Sequence, residues 1–485
     1  MTIDKLNPER VWKHFYSLTQ IPRPSKKEEK AVLFLEKFGK GLGLETIKDH
    51  LGNIIIRKPA TKGMENRKGI ILQAHIDMVP QKNSDNNHDF EKDPIKPRIV
   101  DEWVYATGTT LGADNGLGVA VAMAVLEAKD LQHGPVEALI TIDEETGMTG
   151  ARGLKPGILK GDILINLDSE DEGELYVGCA GGLDATALFR YKSQVAPAGY
   201  KGYKLNITGM KGGHSGMDIV LGRGNANKAL VRILLPLIRE AKALISEFEG
   251  GTLRNAIPRE SFATIALPKE KIRSAKKIVE KHFKEMLNEL AAHEPDLKIT
   301  LEECKKPARI IEPQAALRIV QSIYACPNGV ERMSDAMKGL VETSNNLAIV
   351  KVKGGKAEVK CLMRSSVDSA KIVYSETLRA VFELAGAEVK LSGGYPGWKP
   401  NMDSAILKTM KVVYQKLYGN EPKVMAIHAG LECGILGGTY PEWDMISCGP
   451  TIRSPHSPDE RVNIETVGKW WKYIVEILKE APVKK

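Results

Sequence analysis

The sequence predicts an α/β domain with a mostly parallel sheet covered by helices, into which a separate α+β domain is inserted. Three observations support this prediction. Nearly continuous apolar strands alternate with helices over residues 1–182, as in sheets that are buried on both faces. Residues 183–395 show strands and long amphipathic helices, which are typical of an α+β domain. Residues 396–485 return to the first pattern.

Two predicted helices open the first segment. Ser25 and Glu28 have the spacing of a capping box. The periodic run that follows, residues 31–38, ends at Gly41 and Gly43, so a helix is predicted there.

Polar residues stand where the predicted strands of the first segment end. Four apolar runs predict strands, at residues 53–57, 69–74, 136–142 and 162–167. A helix rich in small residues is predicted at 114–129. Ligands collect beyond the carboxyl ends of strands in such sheets, and His75, Glu144, Glu145 and Asp168 lie there.

The inserted segment begins after Gly181 and Gly182. Its predicted strands are residues 204–208, 262–267, 298–303 and a hairpin of 346–352 and 357–363 turned by 353–356. Long amphipathic helices are predicted at 226–248 and 269–292. The glycine- and proline-rich stretch 393–397 is expected to be the return linker.

The final segment supplies one more candidate ligand. A predicted strand at 445–448 leads to His456, and a predicted helix at 464–479 follows. The first domain is therefore predicted to be discontinuous, formed by residues 1–182 and 396–485, with residues 183–395 inserted between them.

The composition is that of a soluble globular protein. A chain of 485 residues is long for one core, so two domains are expected, and 42% hydrophobic with 27% charged residues is ordinary. The net charge of +8 is spread over lysine-rich helices without a basic stripe interleaved with aromatics, so no nucleic-acid partner is expected. No run approaches the ~20 apolar residues of a membrane span, so no membrane association is expected.

Cysteine usage favours a cytoplasmic location. The six cysteines show no paired spacing and mostly fall within apolar runs, as reduced core thiols do. Residues 1–6 lack the apolar region of a signal peptide, so none is expected.

Five imidazole and carboxylate side chains fit a two-metal hydrolase. They are His75, Asp114, Glu145, Asp168 and His456. Each has an ordinary explanation by itself: Asp114 could be only a helix cap, Asp168 only a turn residue, and Glu145 part of a solvated acidic turn. Together they favour a site for two divalent ions, because zinc, manganese and cobalt accept these ligands without cysteine.

The positions also suggest separate roles. Asp114 opens a helix beside two glycines and suits a bridging carboxylate, with His75 on one ion and His456 on the other. Glu144, next to a ligand, is expected to accept the water's proton and donate it to the leaving amine. Asp77 follows His75 by two residues, so it is expected to bond the ring and orient it.

Eight short stretches resemble the co-catalytic metallopeptidases that include carnosinases and acetylornithine deacetylases, and in particular their aminoacyl-histidine (cytosol non-specific) dipeptidase branch. The matching stretches are Gln73-Ala-His-Ile-Asp-Met-Val-Pro80, Thr110-Leu-Gly-Ala-Asp-Asn-Gly116, Asp143-Glu-Glu-Thr-Gly147, Asn166-Leu-Asp-Ser-Glu170, Val177-Gly-Cys-Ala-Gly-Gly182, Lys211-Gly-Gly-His-Ser-Gly216, His428-Ala-Gly-Leu-Glu-Cys-Gly434 and Ser454-Pro-His-Ser-Pro458. They span nearly the whole chain in order. The resemblance implies the same five metal ligands, with Asp77 and Glu144 as catalytic partners.

The resemblance also implies a function for the inserted domain, as a lid and a dimerisation surface. In similar enzymes a lid histidine steadies the oxyanion, and asparagine and arginine hold the substrate's carboxylate. His214, Asn255 and Arg364 match these positions. Glu432 is expected to face the cleft and contact the substrate's amine.

The expected function is that of a cytoplasmic, homodimeric dipeptidase with a zinc-peptidase-like catalytic domain. It would use two divalent ions, zinc first with manganese or cobalt as alternatives, on unmodified dipeptides such as Xaa-His and carnosine. Two alternatives stay open: a deacylase of N-acyl amino acids with the same machinery, and a non-catalytic binding protein that kept the fold. The intact ligand set argues against the second.

Overall fold

The computed structural model describes residues 2–484, which divide into two compact units. Unit 1 comprises the chain up to Cys179, then Trp398–Ala426, then the chain from Leu431 onward. Unit 2 comprises Ala180–Gly397 and Ile427–Gly430. The four residues Ile427–Gly430 lie within the predicted third segment, 396–485, but belong to unit 2 in the structure.

Residues 2–484 form the following helices and strands. The helices are α1 (Glu9–Thr19), α2 (Glu29–Gly41), α3 (Ala113–Glu127), α4 (Glu144–Gly147), α5 (Thr149–Gly153), α6 (Ala226–Arg239), α7 (Ile272–Leu290), α8 (Pro313–Ala325), α9 (Asp368–Leu384), α10 (Ala405–Tyr418), α11 (Glu432–Thr439) and α12 (Ile464–Lys479). The strands are β1 (Glu45–Lys48), β2 (Ile54–Lys58), β3 (Ile70–His75), β4 (Pro97–Val100), β5 (Trp103–Ala106), β6 (Val136–Thr141), β7 (Ile163–Asn166), β8 (Glu174–Cys179), β9 (Gly181–Arg190), β10 (Ser193–Val195), β11 (Tyr200–Thr208), β12 (Gly213–His214), β13 (Leu244–Gly250), β14 (Ala256–Ile257), β15 (Ser261–Pro268), β16 (Lys298–Cys304), β17 (Arg309–Ile311), β18 (Gly329–Met333), β19 (Val341–Lys353), β20 (Lys356–Ser365), β21 (Glu388–Tyr395), β22 (Lys423–Ile427), β23 (Asp444–Ser447), β24 (Ile452–Arg453) and β25 (Arg461–Asn463).

The main sheet of unit 1 confirms the α/β prediction and corrects one detail. Its strand order is β1-β2-β6-β3-β7-β23-β8-β22. The central neighbours β6, β3, β7 and β23 are parallel. Strands β1 and β2 pair antiparallel, as do β2 and β6 and β23 and β8, so the sheet is mixed.

Burial explains why the central strands are so apolar. Every residue of β3, β6 and β7 is buried. Helix α3 is buried along nearly its whole length, which its small residues allow because they let it pack closely. The parallel strands end at one edge of the sheet, and this edge carries the candidate ligands.

Unit 2 contains a nine-stranded antiparallel sheet with its own core. The strand order is β16-β11-β15-β13-β19-β20-β9-β21, and β18 pairs with β19. Helix α6 covers this sheet, with Leu230, Ile233, Leu234 and Leu237 buried in the core.

The predicted helix at 226–248 is wrong in its second half. Helix α6 ends at Arg239, and Lys242 has a left-handed backbone with φ of 56°. The chain then enters β13, where Phe248 is 2% exposed and lies opposite Ala263. The apolar side chains after residue 243 are therefore buried by sheet neighbours. The turn at residues 240–243 carries no glycine or proline, so the sequence has no local signal that ends the helix there.

Two other local predictions are corrected. The expected linker at 393–397 begins inside β21, an edge strand that pairs with β9 and becomes irregular between Ser392 and Tyr395. The capping box does not form, because α2 begins at Glu29 without a side-chain cap. The Ser25 hydroxyl instead donates to Asp77, at 2.7 Å.

Among residues 2–484, no helix combines the length and apolar character needed to cross a bilayer. All six cysteines are free thiols, and five of them are buried.

Candidate metal centre

Five separate segments of unit 1 carry the five predicted ligands. His75 is the last residue of β3, and Asp168 follows β7 by two residues. Glu145 lies in the short helix after β6, and Asp114 lies at the start of α3. His456 follows β24. The structure brings all five together within unit 1, although they come from both ends of the chain.

The two histidines flank the carboxylates. His75 Nε2 lies 3.1 Å from Asp114 Oδ1 and 3.4 Å from Asp168 Oδ1. His456 Nε2 lies 3.3 Å from Asp114 Oδ2 and 2.9 Å from Glu145 Oε2. Asp114 thus directs one oxygen towards each histidine, which is the arrangement expected of a bridging carboxylate.

Unusual backbone conformations occur at this edge. His456 has φ of 58° and Asp143, just before Glu144, has φ of 51°. A positive φ is uncommon for residues with a Cβ and costs conformational energy. Asp143 compensates through its side chain, which accepts hydrogen bonds from Thr146 and Thr149.

The donor set fits divalent metal ions. Ligand atoms of His75, Asp114 and Glu145 all lie within 4.8 Å of one another. Hydrogen bonds to Asp114 and Glu145 raise the pKa of His456 to about 11. The carboxylates thus favour a positive charge at their centre, and imidazole with carboxylate ligands suits zinc, manganese or cobalt.

Asp77 lies behind the centre and does not face it. Its Oδ1 is 3.2 Å from His75 Nδ1, whereas the other ring nitrogen, Nε2, faces Asp114. Its two oxygens also accept the amides of Glu144, at 3.0 Å, and Glu145, at 3.3 Å. Burial alone would raise the pKa of Asp77, but the bonds from His75, Glu144 and Ser25 outweigh burial and lower it to about 2.

Glu144 lies beside the ligands. It directly precedes the candidate ligand Glu145 in the chain. Burial raises the pKa of Glu144 well above its usual value, His75 opposes this rise, and Asp168 adds to it. A carboxyl group with a raised pKa next to the ligands suits proton transfer.

In unit 2, His214 has a defined tautomer. Its Nδ1 accepts hydrogen bonds from the amides of Gly216, at 3.2 Å, and Met217, at 3.0 Å. Burial and the charge of Arg364 lower the pKa of His214. The ring is therefore neutral near pH 7 and carries its proton on Nε2, which is a hydrogen-bond donor.

Arg364 is a buried cation near His214. It is 5% exposed, and Nη1 donates to the Tyr395 hydroxyl at 3.2 Å. Within residues 2–484, its Nε has no hydrogen-bond acceptor. A buried guanidinium with a free donor is suited to an anion. Asn255 is exposed, and its backbone carbonyl accepts a hydrogen bond from the amide of Ser215.

Glu432 belongs to unit 1 and is buried beneath the ligand-bearing edge. It is 1% exposed, and Oε2 accepts from Gln73, at 2.6 Å, and Thr141, at 2.9 Å. Burial raises its pKa to about 7. The structure thus places Glu432 with core strand residues and does not expose it on a cleft surface.

Several polar contacts within the two units were not predicted. Arg23 donates to the carbonyls of Ile76 and Gly112, and Glu460 accepts amides of the Asp114 loop. His428 Nε2 lies 2.7 Å from the Ser344 hydroxyl in unit 2. Glu460 and His428 stand in or beside the stretches that carry the resemblance, which was the one available signal. Arg23 offered none.

Comparisons with known proteins identify the family of the chain. The model of peptidase family M20/M25/M40 matches residues 71–480. The cytosol non-specific dipeptidase of Escherichia coli (strain K12) is 48% identical over 482 residues, covering 99% of both chains.

Solved structures are similar along the whole chain. The crystal structure of aminoacylhistidine dipeptidase from Vibrio alginolyticus has a TM-score of 0.96 and 48% identity, covering 100% of this chain and 99% of that one. Aminopeptidase PepT from Bacillus cereus ATCC 10987 has a TM-score of 0.60 and 19% identity, covering 98% and 99%. The second similarity concerns the fold alone.

Proposed function

Because the chain belongs to peptidase family M20/M25/M40, we propose that it is a metal-dependent dipeptidase acting on free dipeptides, including Xaa-His and carnosine-like substrates. The observation that carries this proposal is the convergence of two histidines and three carboxylates around Asp114. The dipeptidases of E. coli and V. alginolyticus, each 48% identical over nearly the full chain, support the substrate class.

The five ligands would hold two divalent ions. His75 and Asp168 would complete one site, Glu145 and His456 the other, and Asp114 would bridge them. We propose zinc as the native metal, with manganese and cobalt as alternatives that the same ligands accept. The ions supply Lewis-acid activation of the attacking water and of the scissile carbonyl.

The side chains of unit 1 then divide the proton chemistry. Glu144 accepts the water's proton and returns it to the leaving amine as the peptide bond breaks. Asp77 would accept a hydrogen bond from the His75 Nδ1–H, which leaves Nε2 as the metal-binding nitrogen. Asp77 also holds the turn of Glu144 and Glu145 through their amides.

The side chains of unit 2 supply substrate recognition in this proposal. His214 Nε2–H would stabilise the oxyanion, because its other nitrogen is occupied by backbone donors. Arg364 would bind the C-terminal carboxylate, and Asn255 would assist it. Contact between Glu432 and the substrate's amine stays a prediction. Because the Glu432 side chain is buried, this contact would require a local opening of the structure around it.

A deacylase of N-acyl amino acids is the second candidate. The buried cation Arg364 suits such substrates equally, since they also end in a free carboxylate. The free amine of a dipeptide is what distinguishes the two classes, so the substrates separate them directly.

A substrate panel with several metals tests the proposal. The metal-free protein would be reconstituted with zinc, manganese or cobalt and assayed on dipeptides, N-acetyl amino acids and dipeptide amides. We expect two metal ions per chain and hydrolysis of free dipeptides above all. Hydrolysis of N-acetyl amino acids alone would favour the deacylase, and metal binding without turnover would favour a binding protein.

Three further features are proposals of the same kind. We propose that the chain acts in the cytoplasm, as the name of the E. coli relative suggests. We also propose that segment 183–395 acts as a lid, and that it joins two copies into a homodimer.

Replacing Asp77 by alanine is expected to weaken metal affinity or activity roughly 10- to 100-fold, the usual loss when a ligand's hydrogen-bond partner is removed. The variant frees the His75 ring and releases the amides of Glu144 and Glu145. Metal titration and dipeptide hydrolysis measure both effects. Asp85→Ala, at an exposed position, is the matched control. A variant equal to the parent, or a metal-loaded structure with Asp77 on the ion, would contradict this role.

A further inference from the structure

We propose that Glu460 is a positioning residue that holds the bridging ligand Asp114 and ties it to the loop of His456. The inference rests on the proposed metal centre, but concerns a residue with no role in the chemistry above. Glu460 is 2% exposed and follows His456 by four residues.

Four consecutive amides surround the Glu460 carboxylate. Oε2 accepts from Leu111, at 2.6 Å, and Gly112, at 2.9 Å. Oε1 accepts from Ala113, at 2.7 Å, and Asp114, at 3.2 Å. Successive backbone amides that point inward form an anion-binding nest, and here the anion is a side chain of the same protein.

Only a glycine fits easily at the turn of this nest. Gly112 has φ of 69°, in the left-handed region. A Cβ there would lie 2.6 Å from Arg23 Nη2 and 2.8 Å from the Met78 sulfur. The loop before Asp114 is therefore shaped around Glu460 on one side and packed against Arg23 on the other.

Arg23 connects the same loop to the His75 strand end. Its Nη1 donates to the carbonyl of Ile76 at 2.8 Å, and Nη2 donates to that of Gly112 at 2.6 Å. Three ligand loops are thus joined in series: Arg23 joins the His75 loop to the Asp114 loop, and Glu460 joins the Asp114 loop to the His456 loop.

This linkage explains how Asp114 can meet both histidines. Its oxygens lie 3.1 Å from His75 and 3.3 Å from His456, so a small shift of its backbone would lengthen one distance or both. Four hydrogen bonds that backbone amides donate to the Glu460 carboxylate resist that shift. The carboxylate comes from the His456 loop itself, so the two ligands move together.

Glu460→Gln is the sharpest test. A glutamine keeps the size of the side chain but offers one acceptor oxygen and turns an NH₂ group towards backbone amides that also donate. We expect affinity for zinc or manganese ions to fall roughly 10- to 100-fold, as other losses of ligand-supporting bonds do. We expect kcat to fall and KM to change less, because the substrate-recognition residues are untouched. Glu442→Gln, at an exposed position, is the control.

Metal titration of the parent and both variants, with the unfolding midpoint of each metal-free protein, decides the matter. The inference is supported if folded Glu460→Gln binds metal more weakly than the parent and Glu442→Gln does not. Affinity within twofold of the parent, in a parent that binds two ions, overturns it while leaving the proposed function intact. A parent that binds no metal overturns both.

Hydrogen exchange on the unmodified protein gives an answer that does not depend on whether the variant folds. The amides of residues 111–114 should exchange slowly with and without metal, because Glu460 and not the ion binds them. Exchange of these amides at the rate of exposed amides in the metal-free protein would overturn the inference.

Discussion

Glu144→Gln is expected to retain two metal ions per chain and to lose at least two decades of kcat. Positioned general acid–base groups contribute roughly 10²- to 10⁴-fold, and glutamine cannot accept or return the proton. Metal content should not change, because the proposed ligands are His75, Asp114, Glu145, Asp168 and His456. The amide of residue 144 remains available to Asp77 in the variant.

The measurement combines metal analysis with steady-state kinetics on one good dipeptide. Glu102→Gln, an exposed change of the same chemistry in unit 1, should behave as the parent does. Near-normal turnover in a fully metal-loaded Glu144→Gln protein would remove Glu144 from the mechanism. Loss of metal together with activity would instead assign it to the ligand shell.

Arg364→Ala is expected to lower kcat/KM for free dipeptides roughly 10- to 100-fold, the scale of hydrogen bonds to a charged group. The same change should abolish the preference for free dipeptides over their C-terminal amides. The physical reason is that Arg364 is a buried cation with a free Nε donor, so a carboxylate gains charge-assisted bonds that an amide does not.

Parent and variant would be compared on matched pairs of dipeptides and dipeptide amides. Arg364→Lys should restore little, because an ammonium cannot copy the planar fork of a guanidinium. Arg190→Ala, at the exposed end of β9, is the control. A parent that cleaves amides as readily as free acids would reject carboxylate recognition and favour a broader amide hydrolase.

Much of the catalytic unit was predictable because local signals and burial agree there. The strands that end at His75, before Glu144 and before Asp168 are buried throughout. Their apolar runs therefore predict the strand bounds to within one or two residues. Polar residues directly after such runs stand at the edge where ligands collect. Helix α12 was predicted with the bounds that the structure shows. The individual roles of the ligands remain predictions.

Unit 2 was harder to predict from the sequence because pairing with neighbouring strands decides the conformation of its segments. Strand β13 has no alternation clear enough to separate it from the preceding helix, and its pairing with β15 and β19 decides its conformation. Gly393 likewise reads as a linker residue, yet it falls in an edge strand beside β9. A local sequence pattern does not predict which strands far apart in the sequence will pair.

By itself, the sequence determined which residue types stand at the ends of the central strands, and hence the kind of metal that could bind there. Only the tertiary structure decided how those residues are supported. Ser25 and Glu28 have the pattern of a helix cap, but Ser25 bonds Asp77 and Glu28 accepts the amide of Asp143. Glu460 accepts a hydrogen bond from the amide of Leu111, which lies 349 positions away in the sequence. A polar side chain satisfies its hydrogen bonds with whichever groups folding buries beside it, and those groups need not be near in sequence.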